Sequence, residues 1–398
     1  MDLEIRPIVA DEVYDFLRAE RLAFGQPIGE DELAAQQPLQ ELDRSLAAFE
    51  DGRIVGGAHS RSFRMNVSGE QLPTCGVMDV SVQATHRRRG ILTRLMARQL
   101  QDVHERGEPL AALYASESII YGRFGYGIGA VHEKWTIDRR HTDFALPREY
   151  GGSCRFVTTE EMRDSFPEIH RRATTGRPGA IQPTAQRWDR IAEDPLAERA
   201  GAGRTVMLVY ETDGLADGYA HYRNKDGTLI VMELMSVTDA AHAALWRFCL
   251  DVDLMAATEA WARPVDDPLP WMLADPRRLD RTPVDGLWVR LVDVPEALSG
   301  RAYSVSGKVV LGVRDSFCPW NEGRYELEAG PEGARCRPTD AEPDIELSAA
   351  DLAAAYLGTV SFSTLSQAGR VEQRTPGALR IADAMFADEL KPWCPFSF

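Results

Sequence analysis

A mixed α/β chain in three segments is the architecture this sequence predicts, and three observations carry it. Residues 1–148 read, by apolar periodicity and turn signals, in the order β-α-β-β-β-α-β-α-β. Residues 149–285 repeat much of that order in a weaker form. After Gly286 the composition shifts, and residues 286–398 read as strands and short helices of an α+β domain. A chain of 398 residues exceeds one ordinary core, so about two to three domains are expected.

In the first segment, Leu3 to Val9 reads as a strand and Glu12 to Phe24 as a helix with Val13, Phe16, Leu17 and Leu22 on one stripe. Asp51-Gly52 is a hairpin turn between Ser45–Glu50 and a strand that runs through Phe63 and Met65. Ser68-Gly69 returns the chain into a strand from Gln71 to Val82. A basic turn, Arg87-Arg88-Arg89-Gly90, then leads into a helix that reaches about Arg106 and buries Leu92, Leu95, Met96, Leu100 and Val103. Pro109 to Ala115 forms the next strand, Ser116 is the expected N-cap of a short helix ended by Gly125, and Val131 to Asp138 is the last strand.

The second segment repeats the hairpins at Asp213-Gly214 and Asp226-Gly227. Its counterpart of the strand before the basic turn is Leu229 to Met235, followed by Ser236-Val237-Thr238-Asp239 with neither arginine nor glycine. An acidic turn repels a pyrophosphate, so this copy is read as structural or substrate-shaping. In the third segment, Leu287 to Val292 opens as a strand, Ser348 caps a helix from Ala349 to Leu357, and Thr375 to Phe386 forms another.

The formal charge of −16 disfavours non-specific nucleic-acid binding and suits cationic small molecules. Glu30-Asp31-Glu32 and Asp79 add negative charge suited to such a substrate. Six cysteines lie scattered without C-x-x-C spacing, no apolar run reaches membrane-helix length, and the start of the chain carries Asp2, Glu4 and Arg6. A cytoplasmic protein with free thiols is therefore expected, with no membrane partner. Neither H-E-x-x-H nor G-x-S-x-G occurs, the eight histidines are dispersed, and no metal is expected.

The chemistry-bearing stretch runs from Val80 to Thr93. A helix N-terminus leaves backbone N–H groups unpaired, and three arginines beside it make a site for a polyanion such as a pyrophosphate. V-x-V-x-x-x-x-R-R-R-G-I-L at Val80 to Leu92, with Tyr121-Gly122-Arg123-Phe124-Gly125-Tyr126 downstream, resembles the GNAT acetyltransferases. Ser116-Glu117 leading into that tyrosine element, and a chain ending in phenylalanine, are most similar to the Eis (enhanced intracellular survival) branch.

That resemblance implies tandem GNAT-like domains followed by a sterol-carrier-like α+β domain whose C-terminus returns to the active site. It implies an acetyl-CoA-dependent N-acetyltransferase that moves acetyl directly to primary amines of aminoglycosides, polyamines or lysine side chains, in an acidic cleft and as a homohexamer. Acetyl-CoA would lie against Val80, Ser81 and Val82 with its pyrophosphate at Arg88, Arg89, Gly90, Ile91, Leu92 and Thr93, and with Ser116 and Glu117 nearby. Tyr121 would be the general acid and the Phe398 carboxylate the base. A competing reading is a lipid or small-molecule binding protein whose acetyltransferase domain is vestigial. The intact Arg87–Gly90 turn, beside its eroded counterpart at Ser236–Asp239, weighs against that.

Overall fold

The computed structural model describes residues 3–26, 29, 41–147 and 149–398. The acidic run Glu30-Asp31-Glu32 lies outside the described residues. The chain forms two compact units: residues up to Gly129 with Leu287–Glu389 and Ser397–Phe398, and Ala130–Gly286 with Leu390–Phe396.

In chain order the strands are β1 (Leu3–Pro7), β2 (Ser45–Glu50), β3 (Arg53–Val67), β4 (Glu70–Val82), β5 (Leu110–Tyr114) and β6 (Gly127–Ile128). Next come β7 (Val131–Asp138), β8 (Ser153–Phe156), β9 (Val206–Thr212), β10 (Leu215–Lys225), β11 (Thr228–Ser236), β12 (Ala257–Pro264) and β13 (Leu279–Asp285). The last are β14 (Leu287–Leu291), β15 (Gly307–Arg314), β16 (Gly323–Gly330), β17 (Gly333–Pro338), β18 (Ile345–Ser348) and β19 (Glu372–Gln373).

Three sheets result. A seven-stranded sheet in the order β1-β2-β3-β4-β5-β14-β6 and a five-stranded sheet, β17-β16-β15-β18-β19, belong to the first unit. A seven-stranded sheet, β13-β7-β12-β11-β10-β9-β8, belongs to the second. The hairpin turns form as their sequences demand. Asp51-Gly52, Ser68-Gly69, Asp213-Gly214 and Asp226-Gly227 all place both residues at positive φ, the type I′ arrangement whose twist matches the flanking strands.

Two strands lie in a different sheet from the one expected. Val131–Asp138 does not complete the first sheet; it pairs with β12 and β13 in the second. Its place is taken by β14, expected in the third segment, which inserts between β5 and β6. Both strands alternate or run apolar as any interior strand would, so periodicity reports a strand without naming its neighbours.

The helix Ile91–Glu105 buries Ile91, Leu95, Met96, Leu100 and Val103 against the first sheet, while Leu92 is only partly buried. The helix Val13–Ala23 turns Val13, Phe16, Leu17 and Glu20 inward and leaves Leu22 exposed, correcting the expected stripe by one carboxylate. The helix Ala349–Tyr356, capped by the Ser348 hydroxyl, packs on β14 and β6, where Gly127 leaves no room for a Cβ. Among the described residues no helix is long and apolar enough to cross a membrane.

Because β14 completes the first sheet, a fragment ending at residue 148 lacks the strand that pairs with all of β5 and carries β7 without its partners. Such a fragment should fail to give a cooperative thermal transition or dispersed amide resonances, and restoring residues 286–398 alongside it should recover both.

Candidate active site

The site begins where two strands part. β4 pairs in parallel with β5 only from Thr74↔Leu110 to Gly76↔Ala112, yet it continues to Val82. On its other side it stays paired with β3 as far as Gly56↔Val82, with a register slip between Gly57 and His59. Asp79 sits in that slip at φ 53, a left-handed conformation that aspartate tolerates better than most residues.

Past Gly76, therefore, one edge of β4 has no strand partner among the described residues. The Gln83 amide bonds to the Val55 carbonyl at 2.9 Å, so by strand alternation Ser81 faces β3 while Val80 and Val82 present their amide groups to the open edge. Backbone groups in such a position need partners, and an extended ligand bearing amides supplies them as an added strand would.

The edge runs into the basic turn, where Arg88 (φ 65) and Gly90 (φ 78) adopt left-handed conformations. Open space surrounds the Cα of Gly90, so conformation and not crowding favours glycine there. Gly90 is the N-cap of the fifteen-residue helix that follows, and having no side chain it makes no cap bond to that helix's first amides.

The three arginines separate by role. Arg87 reaches the Ala23 carbonyl at 3.3 Å, and Arg89 pairs with Glu50 at 3.2 Å, a carboxylate that also takes His86 at 2.9 Å. Both tie the turn to its surroundings. Arg88 is exposed, and among the described residues no carboxylate is paired with it. Leu92 packs on the core cluster around Met96 and Tyr121, so its side chain points away from the row of amides; Thr93 is exposed.

Tyr121 ends the short helix Ser118–Tyr121. The N-cap is Glu117, without a side-chain bond, so Ser116 is not the cap that its type suggested. Tyr121 is 6 % exposed and shares a core cluster with Val77 of β4, against which Val80 and Leu92 also pack. Burial raises its hydroxyl pKa, and the Glu117 charge raises it further, so the phenol stays protonated. The Tyr126 ring meets it edge-on at 6.0 Å; Tyr126 itself is fully enclosed, and among the described residues its hydroxyl has no hydrogen-bond partner.

Behind this pair stands Arg290, a fully buried arginine on β14 that is ion-paired with Asp315. Its guanidinium lies against the Cα of Gly125, which sits at φ 82, so only glycine fits the turn that ends the tyrosine element. Sequence reasoning missed Arg290. The available signal was a lone arginine inside the apolar run Leu287–Val292, which marks a buried ion pair.

At the point where β4 and β5 part lies the end of the chain. The Phe398 ring packs on Phe63 at 4.9 Å and edge-on to Tyr114, the last residue of β5, at 5.4 Å. A Cβ on Gly76 would meet that ring at 3.0 Å. The Phe398 ring thus has a definite seat beside β4 and β5.

Glu20 is a second residue that periodicity misread. It is 3 % exposed, with Arg21 at 3.8 Å. Burial first, and then the negative charge of Asp79, push its pKa up to about 8. A carboxyl raised in this way holds a proton in the folded state that it loses on unfolding. Its contribution to stability is present below about pH 4.5 and is lost as pH rises through about 8. Glu20→Gln should therefore gain stability relative to the parent as pH rises from 5 to 8, by a few kcal/mol at most, in thermal melts across that range.

The chain matches known proteins along most of its length. Residues 4–129 and, separately, 179–291 match models of an acetyltransferase (GNAT) domain, and residues 294–395 match a sterol carrier protein domain. Fold and matches together define a GNAT N-acetyltransferase, a class that takes its acetyl group from acetyl-CoA. An uncharacterized N-acetyltransferase of Streptomyces avermitilis is 42% identical over 91% of both chains. N-acetyltransferase Eis of Mycobacterium tuberculosis is 36% identical over 94% of both. The crystal structure of Eis1 from Mycobacterium abscessus superposes with a TM-score of 0.87 at 33% identity, covering 99% of this chain and 100% of that one. The chain belongs to the Eis-type N-acetyltransferase family.

Proposed function

We propose that the first domain binds acetyl-CoA along the open edge of β4 and transfers acetyl directly to a primary amine of a small cationic acceptor: an aminoglycoside, a polyamine or a lysine side chain. The observation that carries this reading is the edge of β4 that, among the described residues, has no strand partner and ends in a turn where Arg88 is paired with no carboxylate. Val80 and Val82 would accept the amides of the pantetheine arm. The N–H groups of the Gly90-capped helix and the Arg88 guanidinium suit a pyrophosphate. Ser81, facing β3, supports the strand, and Arg89, neutralised by Glu50, contributes its backbone.

In the reaction a C–N bond forms as the C–S bond of the thioester breaks. The terminal carboxylate of Phe398 takes the proton that the acceptor ammonium must lose, and Tyr121, kept protonated by burial and Glu117, gives one to the departing thiolate. The overall charge of −16 favours encounter with cationic acceptors. We also take the assembly to be a homohexamer and the compartment to be the cytoplasm, on the resemblance to the Eis branch and the composition; sedimentation of the purified chain tests the first.

Arg88→Glu should weaken acetyl-CoA binding by about tenfold or more in calorimetry, since it replaces an attractive charge by a repulsive one. Unchanged affinity would remove the pyrophosphate assignment, and no binding by the parent protein would favour the vestigial reading. Tyr121→Phe should lower kcat by about 10²- to 10⁴-fold with little change in acetyl-CoA affinity. Deleting Phe398, or extending the chain beyond it, should cost kcat on a similar scale. A screen of aminoglycosides, polyamines and lysine peptides, read by mass spectrometry, identifies the acceptor.

A further inference from the structure

The second unit repeats the parting of strands found in the first. β11 pairs in parallel with β12 from Thr228↔Ala257 to Val231↔Ala260, then continues to Ser236 paired on its β10 side only among the described residues. Thr238 caps the helix Asp239–Asp251, in the position that Gly90 takes before its own helix. The same backbone accounting applies: an open edge of β11 needs partners.

Here the chain itself supplies one. Arg263 of β12, 4 % exposed, reaches across the opening to the Leu234 carbonyl at 3.0 Å, while its other nitrogen holds Asp267 at 2.6 Å. Trp393, from the end of the chain, then closes the slot. Its indole N–H donates to the Ala262 carbonyl at 2.6 Å, its backbone N–H donates to the Pro178 carbonyl at 2.8 Å, and Arg177 and Arg263 each lie 5.6 Å from its ring. It is 5 % exposed and joins the core cluster of Phe166, Trp188 and Tyr219. Between Trp393 and the end of β11 a cavity of about 170 Å³ remains. The neighbouring residues are seated as well. Lys391 is held through its backbone by Asp266 and Arg177, Cys394 is 3 % exposed, and the Phe396 ring lies 4.3 Å from the Arg187 guanidinium.

We propose that the eroded cofactor slot of the second GNAT-like domain is a receptor for the chain's own C-terminal segment, with the Trp393 indole as its resident ligand. Trp393 is thereby a positioning residue for the terminal carboxylate. This second part rests on the reading of Phe398 as the base. Trp393 stands only a few residues before Phe398 in the chain, so a segment anchored there confines the carboxylate to a short tether. An unanchored tail would search a much larger volume.

The test uses the full-length chain and the thiol of Cys394 as reporter. In Trp393→Gly, alkylation of Cys394 by iodoacetamide, read by peptide mass spectrometry, should accelerate at least about tenfold, because the seated segment no longer excludes solvent. Acetyl-CoA affinity should stay within about twofold while kcat falls at least about tenfold. Millimolar free indole should restore both the protection and part of the turnover, as a ligand that fills the vacated slot. Trp393→Phe, which keeps a ring and loses the indole donor, should fall between parent and glycine variant, and it serves as the test if the glycine variant does not fold.

Unchanged labelling of Cys394 in these variants overturns the receptor proposal. The two readings fail separately. If removing Phe398 leaves turnover intact, the base assignment is wrong and Cys394 protection still tests the seat. If labelling rises in Trp393→Gly while kcat holds, the seat exists and the positioning role is wrong.

Discussion

Past Gly76 the strands β4 and β5 part, and the amide groups on one edge of β4 are left without a neighbour in the sheet. Much of the first unit serves that opening. β14 takes the other edge of β5, so β5 cannot swing across to close it. The Phe398 ring wedges against Gly76 and Tyr114 where the strands diverge. The slip at Asp79 turns the end of β4 so that Val80 and Val82 face outward along the opening. An exposed strand edge is ordinarily a liability for aggregation, and its retention here fits a ligand that completes the sheet.

The second unit meets the same constraint and resolves it within the chain. Its strands part after Val231, and a buried arginine and a tryptophan fill the gap. The two openings thus differ in chemistry and not in topology. In the first, Arg88 and an uncapped helix start favour a polyanion; in the second, Thr238 caps the helix, and Asp239 places a negative charge in its first turn.

The C-terminal part of the chain is more than an appended domain. It lends β14 to the first sheet, and with β14 comes Arg290, whose guanidinium shapes the turn behind Tyr121. Its helix Ala349–Tyr356 packs directly on that strand and on β6. The tyrosine element therefore takes its geometry from residues far away in sequence, held by a buried ion pair to Asp315.

Local chemistry determined a great deal. Asp-Gly and Ser-Gly pairs set their own turns, because only certain residues accept consecutive positive φ. The stripe of Leu95, Met96, Leu100 and Val103 set its helix, and the arginines and glycine before it marked the binding turn. Each of these signals lives within a few residues. What needed the tertiary structure was pairing and compensation. Periodicity could not say that Val131–Asp138 leaves the first sheet and Leu287–Leu291 enters it, since a strand's pattern records burial and not the identity of its neighbours. Nor could it tell that Arg89 is neutralised by Glu50 while Arg88 is paired with no described carboxylate, that Glu20 turns inward where Leu22 was expected, or that Trp393 has a slot of its own. Those facts depend on which distant groups share a low-dielectric site, and that is decided only when the chain is folded.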